Sequence, residues 1–87
     1  MTLKIDSGSD GHEMVLQLSG RLQSEHVELL KAQIEGSELR VVLDLEDVKL
    51  VDRDVVRFLG VCEENGIELR HCSPYIREWI LKEKAGS

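Results

Sequence analysis

The sequence predicts a small α/β fold: a mixed β-sheet with an N-terminal antiparallel hairpin, parallel strand–helix–strand units and about three to four helices packed on the sheet. Two observations predict it. Short segments in which apolar residues alternate or run together are typical of strands, and the segments between them have the apolar spacing of helices. A chain of 87 residues suits one domain, residues 1–87, with its core over about residues 3–82.

The first predicted unit is a β-hairpin. Leu3–Asp6 is expected to form an edge strand, and the glycine- and serine-rich stretch Ser7–Gly11 is expected to form the turn. Met14, Leu16 and Leu18 then alternate with other residues, which is typical of a strand with one buried face. These segments predict an antiparallel pair at the start of the sheet.

The spacing next predicts a helix from Ser24 to Gln33. We expect Ser24 to cap its N-terminus and Gly36 to end it, because short polar residues favour the first position and glycine the last. Three apolar residues share the face expected to enter the core: Val27, Leu30 and Ile34.

A central strand and a second helix follow. Leu39–Leu45 is rich in consecutive apolar and β-branched residues, which is typical of a strand covered by helices on both faces. Asp52 is expected to cap the second helix, and Asn65 and Gly66 are expected to end it. The apolar face of this helix consists of Val55, Phe58, Leu59 and Cys62.

The last segments predict a short strand, Ile67–His71, and a final helix with Pro74 in its first turn. Trp79 of this helix either packs with neighbouring isoleucines on the sheet or shares an exposed patch with Tyr75, four residues earlier. The order β-β-α-β-α-β-α implies parallel neighbours joined by right-handed crossovers.

The charge balance argues against a nucleic-acid partner. The chain has 11 Lys and Arg against 17 Asp and Glu, a net charge of −6, and one residue each of Phe, Tyr and Trp. An acidic chain repels phosphate backbones, and base stacking needs aromatic side chains beside basic ones. No signal-peptide pattern and no run of about 18 apolar residues is found. We therefore expect a cytoplasmic protein without direct membrane insertion.

Neither an enzyme nor a cofactor or metal site is expected. The residues offer no nucleophile–base arrangement, no glycine-rich phosphate loop and no set of four metal ligands. Cys62 is expected in the core, and a reducing cytoplasm leaves both thiols free. Cys72 precedes a helix N-terminus, which lowers a thiol pKa. A reactive Cys72 and a half-buried loop cysteine therefore both remain open.

Three segments together resemble the STAS domain, the family of sulfate-transporter tails and anti-sigma-factor antagonists. Leu16–Leu22 is similar to the family's strand with its Gly-x-Leu turn, and Asn65–Leu69 to its helix end and return strand. In the third segment, Val41–Asp52, Asp44 matches the residue that ends the family's central strand, and Asp52 the one before the second helix. The resemblance covers about residues 3–80 and implies the STAS fold and binding of other proteins.

One departure from the family concerns regulation. Signalling members usually have Asp-Ser-Ser-Gly before the second helix, and the second serine receives phosphate from a partner kinase. This chain has Asp52-Arg53-Asp54-Val55, so Asp54 occupies the phospho-acceptor position and no hydroxyl is present there. A carboxylate is a partial, permanent mimic of a phosphate group, which carries about −1.5 to −2 charge.

The resemblance implies a partner-binding surface at the start of the second helix. Its residues are Asp52, Arg53, Asp54, Val55, Arg57 and Phe58. Structural roles compete with this interpretation: the two aspartates suit a helix N-terminus, the two arginines could pair with Asp54 or Glu46, and Phe58 suits the core.

The favoured hypothesis is a non-enzymatic protein–protein interaction module of bacterial signalling, similar to an anti-sigma-factor antagonist. Its partner would be an anti-sigma factor or a signalling scaffold. Formation of a homodimer is left undecided at this point. The alternative is a small STAS subunit of an ABC-type membrane transport complex, with transporter subunits as partners. A redox sensor acting through Cys72 is a third class.

Overall fold

The computed structural model describes residues 3–86. The elements follow in the order β1 (Leu3–Ser9), β2 (Glu13–Leu22), a 3-10 turn (Ser24–His26), α1 (Val27–Glu35), β3 (Arg40–Val51), α2 (Arg53–Glu64), β4 (Glu68–Arg70) and α3 (Pro74–Gly86). Within this part of the chain the predicted α/β order is confirmed. The prediction of one domain over residues 1–87 also concerns residues 1, 2 and 87, which lie outside the described residues.

The sheet has the order β1-β2-β3-β4. β1 is antiparallel to β2, whereas β2, β3 and β4 are parallel neighbours, as the predicted hairpin and crossovers require. β3 is central and pairs with β2 as far as Leu22 and Val51. The C-terminal ends of β2 and β3 therefore lie side by side, and the segments that follow these strands start close together.

The hairpin is longer than predicted. β1 continues to Ser9, through most of the stretch predicted as a turn, because the turn is formed around Asp10 instead. Asp10 Oδ1 accepts hydrogen bonds of 3.0 Å from the backbone N–H groups of His12 and Glu13, and Gly11 supplies a φ of +95°. These two N–H groups lower the pKa of the Asp10 carboxyl.

β3 is also longer than predicted. Asp44 does not end the strand, which continues to Val51. It continues because β2 stays paired with it, through register shifts after Gln17 and Gly20. Gly20 has a φ of +94°, which a residue with a side chain rarely adopts, so this glycine permits the second irregularity.

The core lies on one face of the sheet. Leu16 and Leu43 on that face join one cluster with the buried residues of the helices, whereas Val42, also fully buried, lies outside it. On Val42's face, Arg70 of β4 reaches across β3 to Glu13 of β2, 3.5 Å away. Long charged side chains thus cover this face, and the expectation of helices on both faces of the central strand is wrong.

Ser24 does not cap α1, in contrast to the prediction. The 3-10 turn comes first, and the backbone N–H of Gln23 donates to His26 Nδ1 at 3.0 Å. The backbone N–H of Ser24 instead donates to Asp52 Oδ2 at 2.8 Å. Gly36 is the C-terminal cap, as predicted. The predicted face packs on the core, with Leu30 buried and Val27 and Ile34 partly buried.

α2 ends at the predicted residues, through a Schellman motif. Gly66 has a φ of +90°, and its N–H donates to the carbonyl of Glu63. The N–H of Ile67 donates to the carbonyl of Cys62. Both bonds satisfy carbonyl groups that the end of a helix leaves without partners.

α3 packs against α2. A Cβ atom built at Gly60 would lie 3.5 Å from Lys84 Cε and 3.7 Å from Ile80 Cγ2, so the space between the two helices would accept a methyl group in ordinary contact. Ile76 and Ile80 are buried, as predicted. Trp79 is partly buried against the core, and its ring centroid lies 5.8 Å from that of the exposed Tyr75. Trp79 therefore combines the two predicted arrangements.

Two glycine-to-alanine substitutions are expected to change stability in opposite directions. Gly60→Ala should raise the free energy of unfolding by about 0.5–1 kcal/mol, because alanine is the better helix former and its Cβ would make only ordinary contacts. Gly66→Ala should lower it by about 1 kcal/mol, because the left-handed conformation is strained for alanine. Urea denaturation followed by Trp79 fluorescence measures both, and a loss of stability in both variants would contradict the packing described at Gly60.

Candidate functional site

Asp52 connects the segment that follows β2 with the segment that follows β3. Its Oδ1 accepts the backbone N–H of Val55 at 3.0 Å, which caps α2 as predicted. Its Oδ2 accepts the backbone N–H of Ser24 at 2.8 Å. One carboxylate thus holds the start of α2 and the segment after β2 together. Both oxygens of this carboxylate have partners within the fold, which fix its orientation.

Asp54, in contrast to Asp52, has an exposed side chain that the fold does not hold in place. It lies in the first turn of α2, is exposed, and makes no hydrogen bond or ion pair within residues 3–86. The helix N-terminus stabilises its negative charge. Its carboxylate oxygens therefore remain available for hydrogen bonds with another molecule.

The two arginines beside Asp54 are held by α3. Arg57 Nε lies 3.1 Å from Glu83 Oε1, and Arg53 Nε lies 3.5 Å from the same carboxylate. The sequence-based alternatives of pairing with Asp54 or Glu46 are therefore wrong. Both arginine side chains remain more than half exposed, so their outer edges can still contact a partner. The hydrogen bond from Arg57, with the charge of Arg53, lowers the pKa of Glu83.

Two residues of the predicted surface lie in the core. Val55 is fully buried and Phe58 is 8% exposed, and both belong to the apolar cluster. They position the start of α2 from beneath and do not present a side chain to a partner. The structure therefore reduces the exposed part of the predicted site to Asp54, Arg53 and Arg57.

Leu50 adds an apolar group that the sequence analysis did not select. It is 47% exposed, four residues before Asp54, between the outward-facing Lys49 and the buried Val51. Strand alternation from the buried Val48 would have predicted a buried Leu50, but the register shift between Gly20 and Arg21 interrupts the alternation, so no local sequence signal could have found it. We call Leu50, Arg53, Asp54 and Arg57 the α2-start surface.

A second cluster of charges holds the other end of the two packed helices. Glu63 Oε1 lies 2.8 Å from Arg77 Nη1 and 3.4 Å from Lys84 Nζ. The hydrogen bond from Arg77 lowers the pKa of Glu63. Glu63 near the end of α2 pairs with Arg77 near the start of α3, whereas Glu83 near the end of α3 pairs with the start of α2. The two helices are therefore antiparallel, and ion pairs connect them at both ends.

These pairs predict acid-sensitive attachment of α3. Glu63 and Glu83 have folded-state pKa values below the ordinary 4.5, so their stabilising contribution is complete above that value and is lost as the pH falls through the lowered values. The double variant Glu63→Gln, Glu83→Gln is expected to lose less stability between pH 7 and pH 3 than the original chain. Urea denaturation at both pH values measures this.

The exposed Glu78 supplies the control for that experiment. Its side chain is 73% exposed and pairs with Lys82 at 3.9 Å. Such a surface pair contributes little, so Glu78→Gln should leave the pH dependence unchanged. Equal pH dependence in the double variant and the original chain would contradict the role assigned to the two helix-joining carboxylates.

The cysteines lack the environment of reactive thiols. Burial raises the pKa of Cys62 to about 11 and also raises the pKa of the half-buried Cys72. A raised pKa leaves little thiolate at neutral pH, and the thiolate is the reactive form. Of the two alternatives for Cys72, this arrangement favours the half-buried loop cysteine. His71, its neighbour, is directed to Asp44 Oδ1, 3.1 Å from its Nδ1.

No helix within residues 3–86 combines the length and apolar character required to cross a membrane. No known family profile matches the chain, and no curated protein matches its sequence closely.

A solved structure, described as the crystal structure of an anti-sigma-factor antagonist STAS domain from Rhodobacter sphaeroides, is similar to this protein. The two sequences are 26% identical, and the structures superpose with a TM-score of 0.59. The match covers 84% of this chain and 94% of that one. The resemblance predicted from the three sequence segments is thereby confirmed: this chain has the fold of an anti-sigma-factor antagonist STAS domain.

Proposed function

We propose that this protein is a non-enzymatic interaction module of bacterial signalling, which acts in the cytoplasm by binding a protein partner through the α2-start surface. The observation that carries the proposal is Asp54: an exposed carboxylate without a partner in the described part of the chain, at the position where the resemblance expects a phospho-acceptor serine. The similar STAS domain is described as an anti-sigma-factor antagonist. An anti-sigma factor is therefore the partner class that we propose.

The mechanism follows from the geometry of the α2 start. Asp54 offers a fixed charge, while the exposed edges of Arg53 and Arg57 offer donors that Glu83 already orients. Leu50 offers apolar area that a partner can cover. Because Asp54 has no hydroxyl, it cannot form the phosphate ester that a serine at this position would form, and its negative charge is permanent. The amount of partner, or the state of the partner, would regulate the complex.

The experiment is affinity purification of the tagged protein from its native cells, with Asp54→Lys as the matched variant. Recovery of an anti-sigma factor with the original chain, and its loss with the variant, is the expected result. Recovery of an ATPase–permease pair would replace the proposal by the transport-subunit alternative. Recovery of the same partner by both proteins would exclude Asp54 from the interface.

A second copy of this chain is a further partner that we propose, through the free edge of β1. The hydrogen bond from Asp10 N–H to the carbonyl of Glu13 fixes the pairing pattern of the hairpin. Odd-numbered residues of β1, including Ile5, consequently direct their N–H and C=O groups outward. Antiparallel pairing centred on Ile5 places Lys4 opposite Asp6 of the second copy, twice by symmetry. Pairing centred on Lys4 or on Asp6 would place that residue opposite its own copy, so that two like charges would face each other.

A charge exchange tests this pairing. Lys4→Asp and Asp6→Lys should each weaken dimerisation about tenfold, because each creates two like-charged cross-strand pairs. The double variant restores opposite charges and should dimerise like the original chain. Sedimentation equilibrium measures the dimer fraction. An original chain that stays monomeric at millimolar concentration, or a double variant no better than the single ones, would exclude this edge.

A further inference from the structure

The end of β4 brings a histidine beside two carboxylates on the central strand. Arg70, the last residue of β4, is in register with Asp44, so His71 lies one position beyond it. His71 Nδ1 is 3.1 Å from Asp44 Oδ1 and 3.9 Å from Glu46 Oε1. One ligand atom from each of the three side chains lies within 4.8 Å of the other two.

These distances suit a metal ion. Zinc binds imidazole nitrogen and carboxylate oxygen at about 2.0–2.2 Å, so two adjacent ligand atoms are roughly 2.8–3.6 Å apart at bond angles between a right angle and the tetrahedral value. The Nδ1–Oδ1 separation of 3.1 Å is already in this range. The Glu46 side chain is 61% exposed and can rotate to shorten its 3.9 Å separation.

The charges around Asp44 give a second, independent argument. Asp44 is only 9% exposed, and the backbone N–H of Glu46 fixes its Oδ1 at 3.0 Å. In the ion pairs of residues 3–86, His71 is the partner of both Asp44 and Glu46, and no lysine or arginine pairs with either. Arg70, the adjacent cationic residue, is directed to Glu68 and Glu13 on the same face.

Within residues 3–86 the Glu46 N–H and the His71 imidazole face Asp44 Oδ1, and no lysine or arginine pairs with either carboxylate. Buried carboxylates require a cation or several donors nearby, and a divalent cation supplies the missing charge. A ligand set of one imidazole nitrogen and two carboxylate oxygens favours Zn²⁺ and similar first-row metals over the all-oxygen sites preferred by Ca²⁺ and Mg²⁺. We propose that Asp44, Glu46 and His71 form a divalent transition-metal site, with water completing the coordination.

Binding of the ion would join the central strand to the segment that leads into α3. His71 stands between β4 and α3 with a φ of +57°, and Asp44 and Glu46 belong to β3. The proposed site is separate from the α2-start surface, and neither proposal depends on the other.

The test is isothermal titration of the full, tag-free chain with ZnCl2 in a buffer that does not bind zinc. We expect saturable binding of one ion with a dissociation constant below about 100 μM. His71→Gln should weaken binding at least tenfold, because an amide can still hydrogen-bond to Asp44 but is a poor zinc ligand. Glu46→Gln should weaken it by a smaller factor.

Three controls separate the site from other zinc ligands. His12→Gln and His26→Gln remove the other imidazoles of the chain and should bind zinc like the original protein. Cys72→Ser removes the half-buried thiol and should do the same. Absence of saturable binding up to 1 mM ZnCl2, or an equal affinity of His71→Gln and the original chain, would overturn the proposal. Circular dichroism of each variant verifies that it is folded.

Discussion

Replacing Phe58 by alanine is expected to lower the free energy of unfolding by about 3–5 kcal/mol. Phe58 is 8% exposed and belongs to the cluster that joins α2 to the sheet, so its removal leaves a cavity beneath the helix. A domain of this size has a total stability of about 4–13 kcal/mol. The substitution therefore removes a large part of it. Urea denaturation, or a shift of the thermal midpoint, measures the loss.

Val61 on the same helix provides the matched control. Its side chain is 54% exposed, so Val61→Ala should change stability by about 0.5 kcal/mol or less. Phe58→Leu keeps most of the apolar volume and should retain more stability than Phe58→Ala. A Phe58→Ala protein as stable as Val61→Ala would mean that Phe58 is a surface residue, as the predicted binding role required.

This prediction also governs how binding data on the α2 start are interpreted. A loss of partner affinity in Phe58→Ala would follow from unfolding and would not locate an interface. The same holds for Val55, which is fully buried, and for Asp52, whose carboxylate holds Ser24 and Val55. Only substitutions at exposed positions can test the surface.

The sequence predicted the parts of the fold that depend on local patterns. The helical spacing placed Phe58 on the apolar face of α2, and Asn65 and Gly66 have the conformational preferences that end a helix. The lengths of β1, β2 and β3 were underestimated because pairing with a neighbour, rather than local composition, decides them. β4, Glu68–Arg70, is instead shorter than the predicted Ile67–His71. β3 continues past Asp44 since β2 accompanies it to Val51.

Long-range contacts were the part of the site that sequence could not supply. Arg53 and Arg57 pair with Glu83, 30 and 26 residues away, and no local spacing rule connects them. The hydrogen bond between Ser24 and Asp52 spans 28 residues. These contacts decide which side chains of the α2 start are free, and they single out Asp54.

Replacing Asp54 by lysine is expected to weaken binding of the partner at least tenfold, which corresponds to about 1.4 kcal/mol. The reversal places a positive charge where the proposal requires a negative one, beside Arg53 and Arg57. It also removes a favourable interaction with the helix N-terminus, worth about 0.3–1 kcal/mol of stability. Titration calorimetry with the purified partner measures the affinity, and urea denaturation measures the stability.

Glu64→Lys is the matched control, because Glu64 is exposed at the other end of the same helix. Each variant changes the net charge from −6 to −4, since one negative charge is replaced by one positive charge. Equal losses of affinity in the two variants would indicate a general charge effect and would remove Asp54 from the interface. Asp54→Ser separates contact from mimicry: if the carboxylate imitates a phosphorylated serine, this variant should bind a kinase-type partner more tightly, whereas a carboxylate that only makes a direct contact predicts weaker binding.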